Sequence, residues 1–259
     1  MSFYIRVLIS AGVLFGLRGW SNPSAGGAAA ALLVSLVVCF AASRSRASGP
    51  ELVVALASLQ FGLAAFINIP EGVLFDVIQI GAAPLVLARA LFDAIATATV
   101  VTALFGRMRA EESEPVEAAV PTVAGLLWRL AAAALIFVAC YFVGGIVIIP
   151  YVRDYCQGRA MPKATAIVSM QVLRALAIIA ALYPALRTMR WRRDAQVLAA
   201  LGLPAIGLSE LLPANDLMPP RVRLVHALEM TPYYAFYGWL VARWFGIKAP
   251  GTGTPASHQ

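Results

Sequence analysis

Apolar residues in this chain come in runs of about twenty, long enough at 1.5 Å per residue to cross the ~30 Å hydrocarbon core of a bilayer as a helix. No other feature constrains the fold as much. Backbone N–H and C=O groups must be satisfied internally in lipid, so a spanning chain is a helix bundle or a closed barrel. Runs of this length fit helices, since a spanning strand needs only about ten residues of alternating polarity. Eight helices are expected, at approximately 3–19, 25–43, 51–69, 84–106, 123–149, 164–187, 196–212 and 222–246. Of the 259 residues, 61% are apolar and 13% charged, about half the ~25% charged content of a soluble domain. That excludes a disordered chain, a disulfide scaffold and a secreted enzyme, and it leaves no stretch long enough for a soluble catalytic domain. The expected fold is an all-α, polytopic transmembrane bundle. It forms one domain over 1–246, with an inner loop at 107–122 and a disordered cytoplasmic tail at 247–259.

Turn chemistry separates the spans: Ser21-Asn22-Pro23-Ser24, Ser48-Gly49-Pro50, Met161-Pro162 and Met218-Pro219-Pro220. The first helix is expected to be retained rather than cleaved as a signal peptide, because Arg18 follows it and the next segment continues into the membrane. Basic residues set the orientation. With the N-terminus inside, 11 of them fall on the inner side and 6 on the outer, which predicts both termini in the cytoplasm. The formal net charge of +7 is spread over these loops rather than gathered in a basic stripe with interleaved aromatics, so no nucleic-acid partner is expected. Helices 1–4 and 5–8 each carry a basic loop after the second helix and a Pro-and-acid segment after the third. These are Asn68-Ile69-Pro70-Glu71 and Glu210-Leu211-Leu212-Pro213. Two parallel repeats, 1–106 and 123–246, are one reading of this pattern. Residues 73–83 are expected as a short helix lying in the outer interface or dipping back into the bundle, with Asp76 and Gln79 on one face.

Charged groups at membrane depth are expensive, and each needs a partner or a purpose. Arg89 and Asp93 stand four apart on helix 4 and can pair within it. Gln171 and Arg174 share a face of helix 6, and His226 and Glu229 share a face of helix 8. Glu71 closes helix 3, and Glu210 lies near the end of helix 7. Counted along the helices, these groups all fall in the outer half of the membrane, while Arg129 near the inner side can snorkel to the interface. One outward-facing polar cavity is expected, with carboxylates Glu71, Asp93 and Glu229 among Arg89, Arg174 and His226. The alternative is a set of structural pairs, Arg89 with Asp93 and Arg174 with Glu229 or Glu71. Pro232 is expected to kink helix 8, and the aromatics from Tyr233 to Trp239 read as a packing stripe rather than a ligand wall.

Several segments resemble a family of uncharacterised bacterial multi-pass membrane proteins. They are Gly145-Ile146 with Pro150-Tyr151-Val152-Arg153-Asp154-Tyr155, Gln171-Val172-Leu173-Arg174, Leu212-Pro213-Ala214-Asn215-Asp216-Leu217-Met218-Pro219, and Val222-Arg223 with His226-Ala227-Leu228-Glu229. The resemblance covers roughly residues 140–240. The chain departs from the pattern at Ala175, at Asp216 and at Thr231-Pro232-Tyr233. The resemblance implies a bacterial inner-membrane location and directs attention to Gln171, Arg174, Arg223, His226 and Glu229. It brings no activity with it.

Three function classes remain open. One is a transporter-like or ligand-binding membrane protein that takes a small molecule, an ion or a lipid. The second is an intramembrane enzyme acting on a lipid or membrane peptide, with Glu229 and His226 as an acid/base pair. The third is a non-catalytic scaffold subunit. Cys39, Cys140 and Cys156 are far apart, and no Cys/His spacing points to a metal, so neither metal nor cofactor is expected. Glu111-Glu112 reads as a solvated loop, and the bilayer is the one certain partner.

Overall fold

The computed structural model describes residues 1–19, 24–76, 78–109, 122–157, 162–213 and 218–246. The acidic pair Glu111-Glu112, most of the inner loop and the tail after 246 lie outside the described residues, as do Asn215, Asp216 and part of the Ser21–Ser24 turn. The described chain is all helical, without strands beyond one isolated bridge. The helices are α1 (Phe3–Gly19), α2 (Ala25–Arg44), α3 (Gly49–Phe61), α4 (Ile69–Leu74), α5 (Ala83–Leu104), α6 (Val123–Gln157), α7 (Ala164–Thr188), α8 (Arg192–Ser209) and α9 (Pro220–Phe245). Five segments are long and apolar enough to cross a membrane: Ala25–Arg44, Gly49–Leu74, Ala83–Leu104, Val123–Tyr155 and Ala164–Thr188. They fit an integral membrane protein. α1 has 17 residues, and α8 and α9 carry more polar groups.

Local chemistry accounts for the helix ends. Ser24 caps α2 by accepting the Gly27 N–H at 3.0 Å. α5 ends in a Schellman turn: Gly106 takes a left-handed φ of 70°, its N–H donates to Ala103 O, and Arg107 N–H donates to Thr102 O. The expected third helix is regular α-helix only as far as Phe61. A π-helical turn at Gly62–Phe66 follows α3, and Pro70 then opens the short α4. Asn68 spans the break, donating from Nδ2 to the carbonyls of Ala64 at 2.9 Å and Leu63 at 3.4 Å. The interfacial helix expected at 73–83 does not form. α4 stops at Leu74, and Asp76 sits at φ 55°, a left-handed conformation that ends a helix and that Asp tolerates better than most residues. α9 runs unbroken through Pro232.

The long helices alternate between two ends of the bundle. At one end, the segments after α2 and α7 meet in reciprocal hydrogen bonds. Arg46 N–H donates to Thr188 O at 2.7 Å, and Arg190 N–H donates to Arg44 O at 3.0 Å, which makes Ser45 and Met189 a bridged pair. Arg107, Arg190 and Arg46 brace this clasp by donating to backbone carbonyls of Ser45, Ala47 and Arg187. The neighbour relations repeat in the two halves of the chain. α1 packs on α2 and α5, and α3 packs on α5 and α2; likewise α6 packs on α7 and α9, and α8 on α9 and α7. The halves meet through α2 on α8 and α3 on α7. Each contact carries a glycine where a Cβ would crowd the other half: Gly62 against Ala181 and Gly202 against Val37. Close backbone approach of this kind favours helix association in lipid, where apolar burial between helices supplies little drive.

Candidate functional site

The polar groups gather toward the end opposite the clasp, in two sets rather than one. The first is built on α4, α7 and α9, with Tyr141 of α6 beside it. Arg174 and Gln171 stand three apart on α7, on one face, and both are buried. Arg174 forms an ion pair through Nη1 with Glu71 of α4, and its Nη2 donates to Asn68 Oδ1 at 2.6 Å. Gln171 Nε2 donates to Glu71 Oε1 at 3.2 Å. The guanidinium also lies over the Tyr234 ring, 5.8 Å from its centroid. Of the two alternatives for Arg174, the observed partner is Glu71.

One turn of α9 supplies the neighbouring pair. His226 Nδ1 and Glu229 Oε2 are 2.9 Å apart. Glu229 is seated against α6 at Gly144, where a Cβ would come within 2.6 Å of Oε1. Tyr141, Tyr233 and Tyr234 lie within electrostatic range of Glu71, Arg174 and Glu229 together, so the two pairs share one neighbourhood. Exposure orders the groups by depth. The side chains of Arg174 and Glu229 are each 4% exposed, whereas Glu71 is 20% and His226 30% exposed. Each buried charge thus has a partner that reaches the surface. Three buried atoms of the site have no hydrogen-bond partner among the described residues: the donor Arg174 Nε, the acceptor Gln171 Oε1 and the Tyr234 hydroxyl, which can act as either.

The second set centres on Arg18 at the end of α1. Its Nε is 3.9 Å from Asp93 Oδ2 and its Nη1 3.4 Å from Glu210 Oε1. The pairing of Arg89 with Asp93 is therefore corrected. Arg89 Nη2 donates to Leu17 O at 3.1 Å, and among the described residues no ion pair joins it to Asp93. The reason is tertiary: α1 packs along α5 and brings its own cation and its terminal carbonyls to that face. Arg223 also leaves the expected cluster. Its Nη1 donates to the carbonyls of Leu211, Leu212 and Pro213, which closes the end of α8. Arg129 donates to Trp244 O at 2.9 Å at the clasp end, far along α6 from the site.

Sequence reasoning missed Asn68 and Tyr141 as site residues and missed Arg18 as a partner. Asn68 had a local signal, since an Asn two residues before a Pro in an apolar run marks a helix interruption whose open carbonyls an amide can cap. Arg18 had none, because it reads as an ordinary flanking arginine. Within the aromatic stripe of α9, Tyr233, Tyr234 and Tyr237 are buried around Phe137, and the Tyr237 hydroxyl donates to Ala175 O at 3.2 Å, whereas Phe236 and Trp239 are exposed. Among the described residues no group of His, Cys, Asp and Glu is arranged to hold a metal. No family model, curated protein or solved structure matches the chain.

Proposed function

We propose that this chain is a multi-pass protein of the bacterial cytoplasmic membrane, transporter-like, that binds a small polar ligand at the Glu71–Gln171–Arg174 site. In this reading both termini are cytoplasmic. The clasp faces the cytoplasm, consistent with the arginines gathered there, and the site opens to the other side. α1, α8 and α9 cross the membrane with the five longer segments, because each packs against helices long and apolar enough to do so. The two four-helix halves act as repeats related by an axis along the membrane normal, the arrangement of several transporter folds.

The observation that carries this reading is that the buried ion pair of the site joins the two halves. Glu71 belongs to the first half and Arg174 to the second. The other pair across the halves, Arg18 with Glu210, lies at the same end, so ion pairs close one face while backbone hydrogen bonds close the opposite one. A ligand that competes for Arg174 or Glu71 loosens that face and leaves the clasp in place.

The test is a deletion phenotype followed by complementation with Arg174→Ala and Glu229→Gln. Arg174→Ala, which strands Glu71, is expected at reduced abundance and Glu229→Gln near wild-type abundance, and each is expected to lose at least tenfold in function per folded molecule in the membrane. A cysteine placed at Glu71, in a background without Cys39, Cys140 and Cys156, is expected to react with a membrane-impermeant thiol reagent added from outside. Function that falls only in proportion to the amount of folded protein would instead indicate a structural network.

A further inference from the structure

The ligand class follows from how the charges of the site are balanced. Resting on the reading above, we infer that the site takes a zwitterion, a small solute carrying an ammonium and a carboxylate a few bonds apart. Arg174 and Glu71 neutralise each other, with Arg174 almost completely shielded from water and Glu71 partly buried. Glu229 is engaged by His226, and Arg223, Arg18 and Glu210 are engaged elsewhere. The Arg174–Glu71 site is thus electrically balanced as it stands. An anion that displaced Glu71 from Arg174 would leave the Glu71 carboxylate without a cation, and a cation that displaced Arg174 would strand the guanidinium. Either leaves an uncompensated charge in a low-dielectric setting, which is strongly unfavourable. A zwitterion inserted between them gives each charge a new partner at once. Its carboxylate takes the guanidinium, a planar fork suited to bidentate contact, and its ammonium takes Glu71.

The unfilled hydrogen-bonding atoms agree with such a ligand. Arg174 Nε is a donor without an acceptor, and Gln171 Oε1 is an acceptor without a donor, both among the described residues. A carboxylate satisfies the first and an ammonium the second. A ligand of one kind alone would satisfy only one of them. Both side chains project from one face of α7 toward Glu71, so the orphan atoms and the ion pair belong to one site. The Tyr234 ring, already under the guanidinium, provides an apolar wall that keeps water from the new contacts. Because the two charges lie on different halves of the chain, insertion of the ligand exchanges an inter-half bond for two ligand bonds. That exchange links occupancy to the separation of the halves at this end.

The experiment measures ligand-dependent thermal stability of the full chain in lipid nanodiscs. The probes are α-, β- and γ-amino acids, alkylamines of matching length and alkyl carboxylates of matching length. Wild type is expected to be stabilised by at least one amino acid, and at least tenfold more weakly, or not at all, by the amine and the carboxylate. Glu71→Gln leaves the guanidinium unbalanced and should shift the preference to the carboxylate probes. Arg174→Met should shift it to the amines. Binding of one singly charged class to wild type as tightly as the amino acids would overturn the assignment, as would no response to any amino acid at millimolar concentration. Equal loss of all binding in both variants, with the fold retained, would also overturn it. A variant that fails to fold is replaced by Gln171→Leu, expected to weaken amino-acid binding without changing which class is preferred; unchanged amino-acid affinity in that variant counts against the zwitterion. A positive result for a different ligand class would leave the proposed binding function standing while removing the zwitterion.

Discussion

The chemistry of the site turns on Arg174, which has three distinct contacts on its guanidinium: Glu71, Asn68 Oδ1 and the Tyr234 ring. Removing one member of a buried ion pair leaves the other charge uncompensated, a loss of roughly 3–5 kcal/mol, whereas removing both members together costs much less. Arg174→Met is therefore expected to lower stability by about that amount, and adding Glu71→Gln should restore a large part of it. Thermal unfolding of the two single variants and the double variant in detergent checks the cycle, and strict additivity would show that the two side chains act independently. Asn68 illustrates a different economy. Its amide donates to the carbonyls left open by the helix break while its oxygen receives Arg174, so one side chain both caps the break and positions the cation.

At the level of elements, the break after α3 places the site. The π-helical turn at Gly62–Phe66 interrupts the regular hydrogen-bond ladder after α3, and the short α4 opened by Pro70 presents Glu71 to Gln171 and Arg174 of α7. The firmest helix pair is α8 with α9, and its closeness depends on Gly238, where a Cβ would overlap the Ala199 carbonyl, and on Gly207, which receives the Tyr234 ring and Met230. The obstacle at Gly238 is backbone and cannot rotate away. Gly238→Ala is expected to destabilise the protein by about 1–3 kcal/mol, whereas alanine at Gly12, with nothing within 4 Å, serves as a neutral control. Melting temperatures of the two variants compare them directly, and an unchanged Gly238→Ala would contradict the packing described.

For the whole molecule, the proposed motion leaves the clasp intact while the opposite end opens. Ser45 and Met189 face each other between two backbone hydrogen bonds, an antiparallel arrangement whose Cα atoms are typically ~4.5 Å apart. That separation suits a disulfide. In a chain lacking its native cysteines, Ser45→Cys with Met189→Cys is expected to cross-link on mild oxidation. The halves should then stay joined after cleavage at a protease site engineered between Ser113 and Glu114. Function retained in the cross-linked protein supports opening at the far end. Function lost on oxidation and regained on reduction would mean that the halves must part at the clasp instead.

Read alone, the sequence determined the helices and the helix faces that carry the charges. Apolar runs, turn residues and caps act over a few positions, so α1, α2, α5, α7 and α9 begin and end within a few residues of expectation. Charges that are costly in lipid had to lie where partners exist, and Gln171, Arg174, His226 and Glu229 fell on two helix faces that the spacing already defined. Only the tertiary structure decided the partners. Whether Asp93 meets Arg89 or Arg18, and whether Arg223 joins a cluster or closes α8, depends on the rotation and height of one helix against another. Those quantities are set by close contacts such as Gly62 on Ala181 and Gly238 on Ala199, between residues far apart in the chain. Spacing within one helix carries no information about them, and so the single expected cavity resolved into two separate groups of charge.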